Sequence, residues 1–170
     1  MSRAVNPMRR VRAVTVAVVG SGAVVVYAFL AAVQILVLNP LAAVLGAGLD
    51  RIFAGVAAAG QSMSTGLVIS FLGVGLLIAI AVLVAAWRRP GRQARLVAVC
   101  YLMLLGVGAS AYFWASFGPG IALADTYFIS GGDHSAWAVG LYATSGLGVA
   151  NPGWSGGVEP LPPSLAPPQR

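Results

Sequence analysis

The chain has no lysine: all 10 of its basic residues are arginine, set against only 4 acids and 1 histidine. A single cysteine, Cys100, excludes a disulfide within the chain. A single histidine excludes a haem held by two histidines of one chain. Charged residues make up 8% of the 170 positions, against about 25% in an ordinary soluble domain. Three long runs contain no Asp, Glu, Lys, Arg or His, which removes the usual parts of an intramembrane proton relay or ion-coupled transporter. No glycine-rich segment is followed by the lysine of a phosphate-binding loop.

Hydrophobic residues supply 59% of the chain. A core of this size cannot hide so much apolar surface from water, so the expected solvent is lipid. The first run, residues 13–38, is about 39 Å long as a helix and exceeds the roughly 30 Å hydrocarbon thickness. It also exceeds the apolar segment of a signal peptide, about 7–15 residues, and is therefore expected to be a retained anchor. Asn39-Pro40 is expected to end it, because proline disfavours helix in the residue before it. The second span is expected over 66–87 and the third over 96–117, joined by a tight turn at Pro90-Gly91. Gly118-Pro119-Gly120 is expected to break the third helix. Between the first two spans, residues 41–65 hold an amphipathic stretch expected to lie as a helix on the outer membrane surface, with a shallow re-entrant segment as the alternative.

The expected fold is thus all-α, an integral membrane protein with three transmembrane helices. A basic tail (1–12) leads into the transmembrane domain (13–117). Residues 118–157 form an extracytoplasmic region in which 134–150 is a candidate fourth span, and a proline-rich tail (158–170) follows.

The arginines set the expected orientation. Arg3, Arg9, Arg10 and Arg12 precede the first run, and Arg88, Arg89, Arg92 and Arg95 lie between the second and third. All four acids fall elsewhere. The positive-inside rule then places the amino terminus and the 88–95 loop in the cytoplasm, with the carboxy terminus outside. Trp87 marks the inner boundary, and Tyr112, Phe113, Trp114 and Phe117 read as the outer aromatic belt. The net charge of +6 is juxtamembrane and suits anionic headgroups rather than nucleic acid. The richness in Ala, Val, Gly and Arg fits a GC-rich bacterial genome, so a bacterial inner membrane is the expected location.

Candidate functional residues are few. Asp125, Asp133 and His134 are the ionisable groups of the outer segment and the only candidates for an outer-face site; no catalytic, metal or cofactor assignment follows from their spacing. Gln34 is expected to reach interfacial water, with an interhelical hydrogen bond as the alternative. Small-residue pairs four apart, Ala28/Ala32, Gly66/Ser70 and Gly106/Ser110, suit close helix packing within the chain or against another subunit. The expected function is a non-catalytic accessory or scaffold subunit of a larger bacterial membrane complex, with other membrane subunits or further copies of itself as partners. A homo-oligomeric channel, transporter or holin-like pore is the alternative, and an enzyme at the outer interface the second.

Overall fold

A computed structural model describes residues 7–88 and 93–150. Helix α1 (Pro7–Val33) passes through a π-helical turn (Gln34–Leu38) into the short α2 (Asn39–Ala43). Then follow α3 (Leu49–Ala58), α4 (Thr65–Arg88), α5 (Ala94–Tyr127) and α6 (Trp137–Ala150). Among the described residues three stretches are long and apolar enough to cross a membrane: Val11–Ala43, Thr65–Arg88 and Ala94–Tyr127. Arg89, Arg92 and the tail at 158–170 lie outside the described residues.

The helices meet along seams with alternating steps of three and four residues. Along α1 and into the π turn the seam runs Ala13, Ala17, Gly20, Val24, Tyr27, Ala31, Gln34; on α4 it runs Val68, Leu72, Gly75, Ala79, Ala86. On α5 it includes Val97, Tyr101, Gly108, Tyr112, Ala115, Pro119 and Ala122, and on α6 Ala138, Leu141, Ser145 and Gly148. This spacing keeps one face of each helix turned to its neighbour, as in coiled coils. The seams are rich in small residues and tyrosines, with Val68, Leu72 and Leu141 among them, whereas Val19, Phe29, Leu67, Leu77 and Val107 stand exposed on the outside. Where lipid is the solvent, small seam residues let backbones approach and bulky residues face the acyl chains.

Helix α1 packs on α4 and α5, and α5 also packs on α4 and α6. Ala13, Ala86 and Val97 share one core cluster. The start of α1, the end of α4 and the start of α5 therefore lie together, and the exposed Arg12, Arg88 and Arg95 share that end. Asp50, Asp125 and Asp133 belong to the opposite end, where Ile52 and Val56 of α3 pack on Ala122 and Leu123 of α5.

Two expected helix ends are corrected. The first helix continues through Asn39-Pro40 as far as Ala43. The π turn makes this feasible: the Asn39 N–H bonds to Gln34 O, five residues back, so the α ladder is already interrupted where Pro40 lacks a donor. Pro40 then sits in the first turn of α2, where a missing N–H is tolerated. Likewise α5 runs through Gly118-Pro119-Gly120 to Tyr127. Its last turns are held from outside, because Pro119 and Gly120 are buried and Ala122 and Leu123 pack against α3. That packing offsets the cost of an interior proline, about 3 kcal/mol.

Candidate functional site

Among the described residues, polar side chains form ties between segments, of which three sets lie within the bundle and a fourth, Tyr127 Oη donating to Ile52 O at 3.1 Å, joins α5 to α3. The first joins the three long helices near the arginine end. Tyr101 Oη donates to Ala79 O at 2.9 Å. Its proton is thereby committed, so Ser21 Oγ donates to Tyr101 Oη at 2.8 Å. The ring reaches this position because residue 20 is glycine: a Cβ there would come within 2.5 Å of Tyr101 Cδ2. Tyr101→Phe is expected to lower the unfolding free energy by about 1 kcal/mol, measured by thermal unfolding in mild detergent. A Ser21→Ala/Tyr101→Phe double variant should add little to that loss, because the two side chains share one bonded unit.

The second set lies at mid-height. Ser145 Oγ on α6 donates to Tyr27 Oη on α1 at 3.2 Å. The Tyr27 ring lies over Gly108 of α5, where a Cβ would stand 2.9 Å from Tyr27 Cε1. Further along α6, a Cβ on Gly148 would meet Leu102 O at 2.9 Å and Gly106 N at 3.0 Å. Glycine thus sets the close backbone approach of α6 to α5.

The third set is a knot at the acidic end. Tyr112 is fully buried and donates to Asp133 Oδ1 at 2.6 Å, a short charge-assisted bond. Asn39, also buried, accepts the His134 backbone N–H on Oδ1 at 2.6 Å. Gln34, 1% exposed, donates weakly from Nε2 to Ser135 O at 3.5 Å. Tyr142 of α6 meets Tyr112 edge to face, with ring centroids 5.4 Å apart. Residues 133–135 are thereby pinned to the π turn, α2 and α5. Beside the knot a pocket of about 240 Å³ is lined by Asn39, Ser116, Asp133 and Tyr142 among others.

The sequence-derived candidates are dispersed. Asp125 accepts from Gln61 Nε2 at 3.3 Å. Asp133 holds Tyr112, and the exposed His134 ring pairs with Ser130 Oγ at 3.3 Å. Among the described residues no three His, Cys, Asp or Glu side chains converge as a metal site would require. Of the packing pairs, Ala28 is buried and Ala32 packs on the same core, while Gly106 lies against Gly148. Ser110, Gly66 and Ser70 are exposed, and Ser70 Oγ donates to Gly66 O of its own helix. Of the topology anchors, Trp87, Trp114, Arg12, Arg88 and Arg95 are exposed. Arg9 and Arg10 lie on α1.

Two readings change. Tyr112 is turned inward, away from the belt of Phe113, Trp114 and Phe117, because Asp133 offers it an acceptor. Gln34 is buried rather than wetted by the interface. Asn39 was legible only as a helix stop; nothing local signals its bond to a residue 95 positions away.

Comparison of the chain with family models, with curated proteins and with solved structures gave no match. Fold and composition define the class: a small, multi-span helical membrane protein.

Proposed function

We propose that this protein is a non-catalytic accessory or scaffold subunit of a larger membrane assembly. The observation that supports the reading is the fate of the interior polar groups. Tyr27, Tyr101, Tyr112, Ser21, Ser145 and Asn39 are each engaged in bonds that tie one segment of the chain to another. A catalytic or conducting site keeps such groups free for substrate or ions; here each is bonded within the chain, including Asn39, which borders a pocket.

The partner-facing surface in this reading is α4. Gly66 and Gly73 lie seven apart on that helix, with Ser70 between them, and a Cβ on either glycine would meet nothing within 4 Å. Bulk added there leaves the chain's own packing untouched while blocking close approach of another helix. In orientation, the arginine end is cytoplasmic in a bacterial inner membrane, touching anionic headgroups. Helix α6 then enters the membrane from outside and runs down α5 as far as the contact of Gly148 with Leu102 and Gly106.

The test is affinity purification from mild detergent. The expected result is a second membrane polypeptide in fixed stoichiometry, lost from Gly66→Ile/Gly73→Ile protein whose own thermal unfolding is unchanged. Recovery of the chain as a single closed homo-oligomer would instead support the pore reading.

A further inference from the structure

The pocket beside the knot combines a carboxylate with three aromatic side chains. Asp133 lines it together with Phe113 and Phe117 of α5 and Tyr142 of α6. The two phenylalanines stand one helical turn apart, with ring centroids 6.0 Å from each other. Gly131 and Gly132 leave the wall next to Asp133 as bare backbone. Among the described residues no basic side chain lines the pocket. Arg12, Arg88 and Arg95 belong to the opposite end of the bundle, and Arg51 lies on α3. Asp133 is exposed, so an occupant of the pocket can reach its carboxylate. Tyr112 donates to its Oδ1 at 2.6 Å, and Tyr142 also interacts with the carboxylate. Both partners are neutral, so they hold the carboxylate in place without neutralising it.

The lining selects the occupant by charge. Aromatic faces carry negative potential and attract a cation placed within about 6 Å of the ring centroid. A carboxylate beside them adds attraction of the same sign. A metal ion is a poor match, since among the described residues no three His, Cys, Asp or Glu side chains converge. A primary ammonium brings several N–H donors that each need an acceptor. Here Asn39 Oδ1 already accepts from His134 N–H, and Asp133 Oδ1 from Tyr112. A quaternary ammonium has no N–H to satisfy, and aromatic rings with one negative charge are what hold it.

We propose that this pocket binds a quaternary ammonium group, carried by a choline-type lipid head or a free solute, between the Asp133 carboxylate and the rings of Phe113, Phe117 and Tyr142. Asp133 keeps its bond to Tyr112, and the cation faces the rest of the carboxylate. The probe is choline chloride, titrated at constant ionic strength against full-length protein in perdeuterated maltoside detergent. Saturation transfer from the protein to the N-methyl protons reads binding. The expected result is saturable binding with a Kd of about 1 mM. Affinity should fall about tenfold in Asp133→Asn, which keeps an acceptor for Tyr112 but removes the charge, and about threefold in Phe117→Leu. Phe117 is exposed, so the second variant keeps the test open if the first does not fold. The uncharged carbon analogue 3,3-dimethylbutanol and the primary amine ethanolamine should each bind at least about tenfold more weakly than choline. Nanodiscs separate the two sources: choline binding lost in phosphatidylcholine discs but kept in phosphatidylglycerol discs assigns the site to a lipid head, and binding kept in both assigns it to a solute. Three results would overturn the proposal: no saturable transfer in detergent or in phosphatidylglycerol discs; equal affinity for dimethylbutanol or ethanolamine; or affinity unchanged in both Asp133→Asn and Phe117→Leu.

Discussion

Gly20→Leu is expected to lower the unfolding free energy of the bundle by about 3 kcal/mol, while Gly22→Leu, two residues along the same helix, leaves it unchanged or slightly raised. The contrast isolates packing from propensity, since both changes gain helix propensity of up to about 1 kcal/mol. At position 20 the new side chain overlaps the root of the Tyr101 ring, which cannot swing aside without leaving its place between α1 and α4. Overpacking of this kind costs about 1–3 kcal/mol. Loss of the Tyr101 bonds to Ala79 O and Ser21 adds about 0.6 kcal/mol each in a membrane setting. At position 22 there is open space, and the leucine meets lipid or the groove between α1 and α6. Denaturant or thermal unfolding in the same detergent reads both variants. Equal stability of the two would mean that the Gly20–Tyr101 contact does not hold α1 to α5.

Tyr112→Ala is expected to cost about 4 kcal/mol, within the range for removing a fully buried aromatic side chain. Tyr112 belongs to the core shared by α1, α4, α5 and α6, and its hydroxyl anchors the 133–135 segment. Truncation therefore opens a cavity at the junction of four helices and releases the segment at once. The loss should be visible as faster proteolysis around residues 128–136 and as a lower midpoint of unfolding. Tyr112→Phe keeps the ring and should lose only the bond, about 1–2 kcal/mol.

The long spans were legible because their signal is length and absence of charge, which survives any arrangement of the helices. Their ends away from the arginines were not. Asn39-Pro40 and Gly118-Pro119-Gly120 carry local stop signals that are valid for an isolated helix. A π turn overrides the first and packing on α3 overrides the second. The seams were hidden for a different reason. Nearly every residue of α4 and α5 is apolar, so no polar face contrasts with a buried one. The contrast that remains is small against large, seen in Ala79 and Gly108 facing inward and Leu77 and Val107 facing out. Small-residue pairs four apart sample that pattern unevenly: Ala28/Ala32 lies at a seam, whereas Gly66/Ser70 faces outward. The knot is the least legible part, because its bonds join residues far apart in the chain, such as Gln34 to Ser135 and Asn39 to His134.

The interior polar groups act as structural ties, and Asp133 is the residue that tests this most severely. It borders the pocket beside the knot and also holds Tyr112, so it is the residue at which chemistry and structure predict different behaviour. The decisive measurement is a double-mutant cycle of Asp133→Ala and Tyr112→Phe, scored for stability in detergent and for partner recovery from cells. The predicted result is a coupling of at least about 1 kcal/mol between the two sites, with partner recovery falling only as far as stability falls. Additive stabilities together with a cellular phenotype lost in Asp133→Ala alone would contradict this and point to chemistry at the pocket beside the knot.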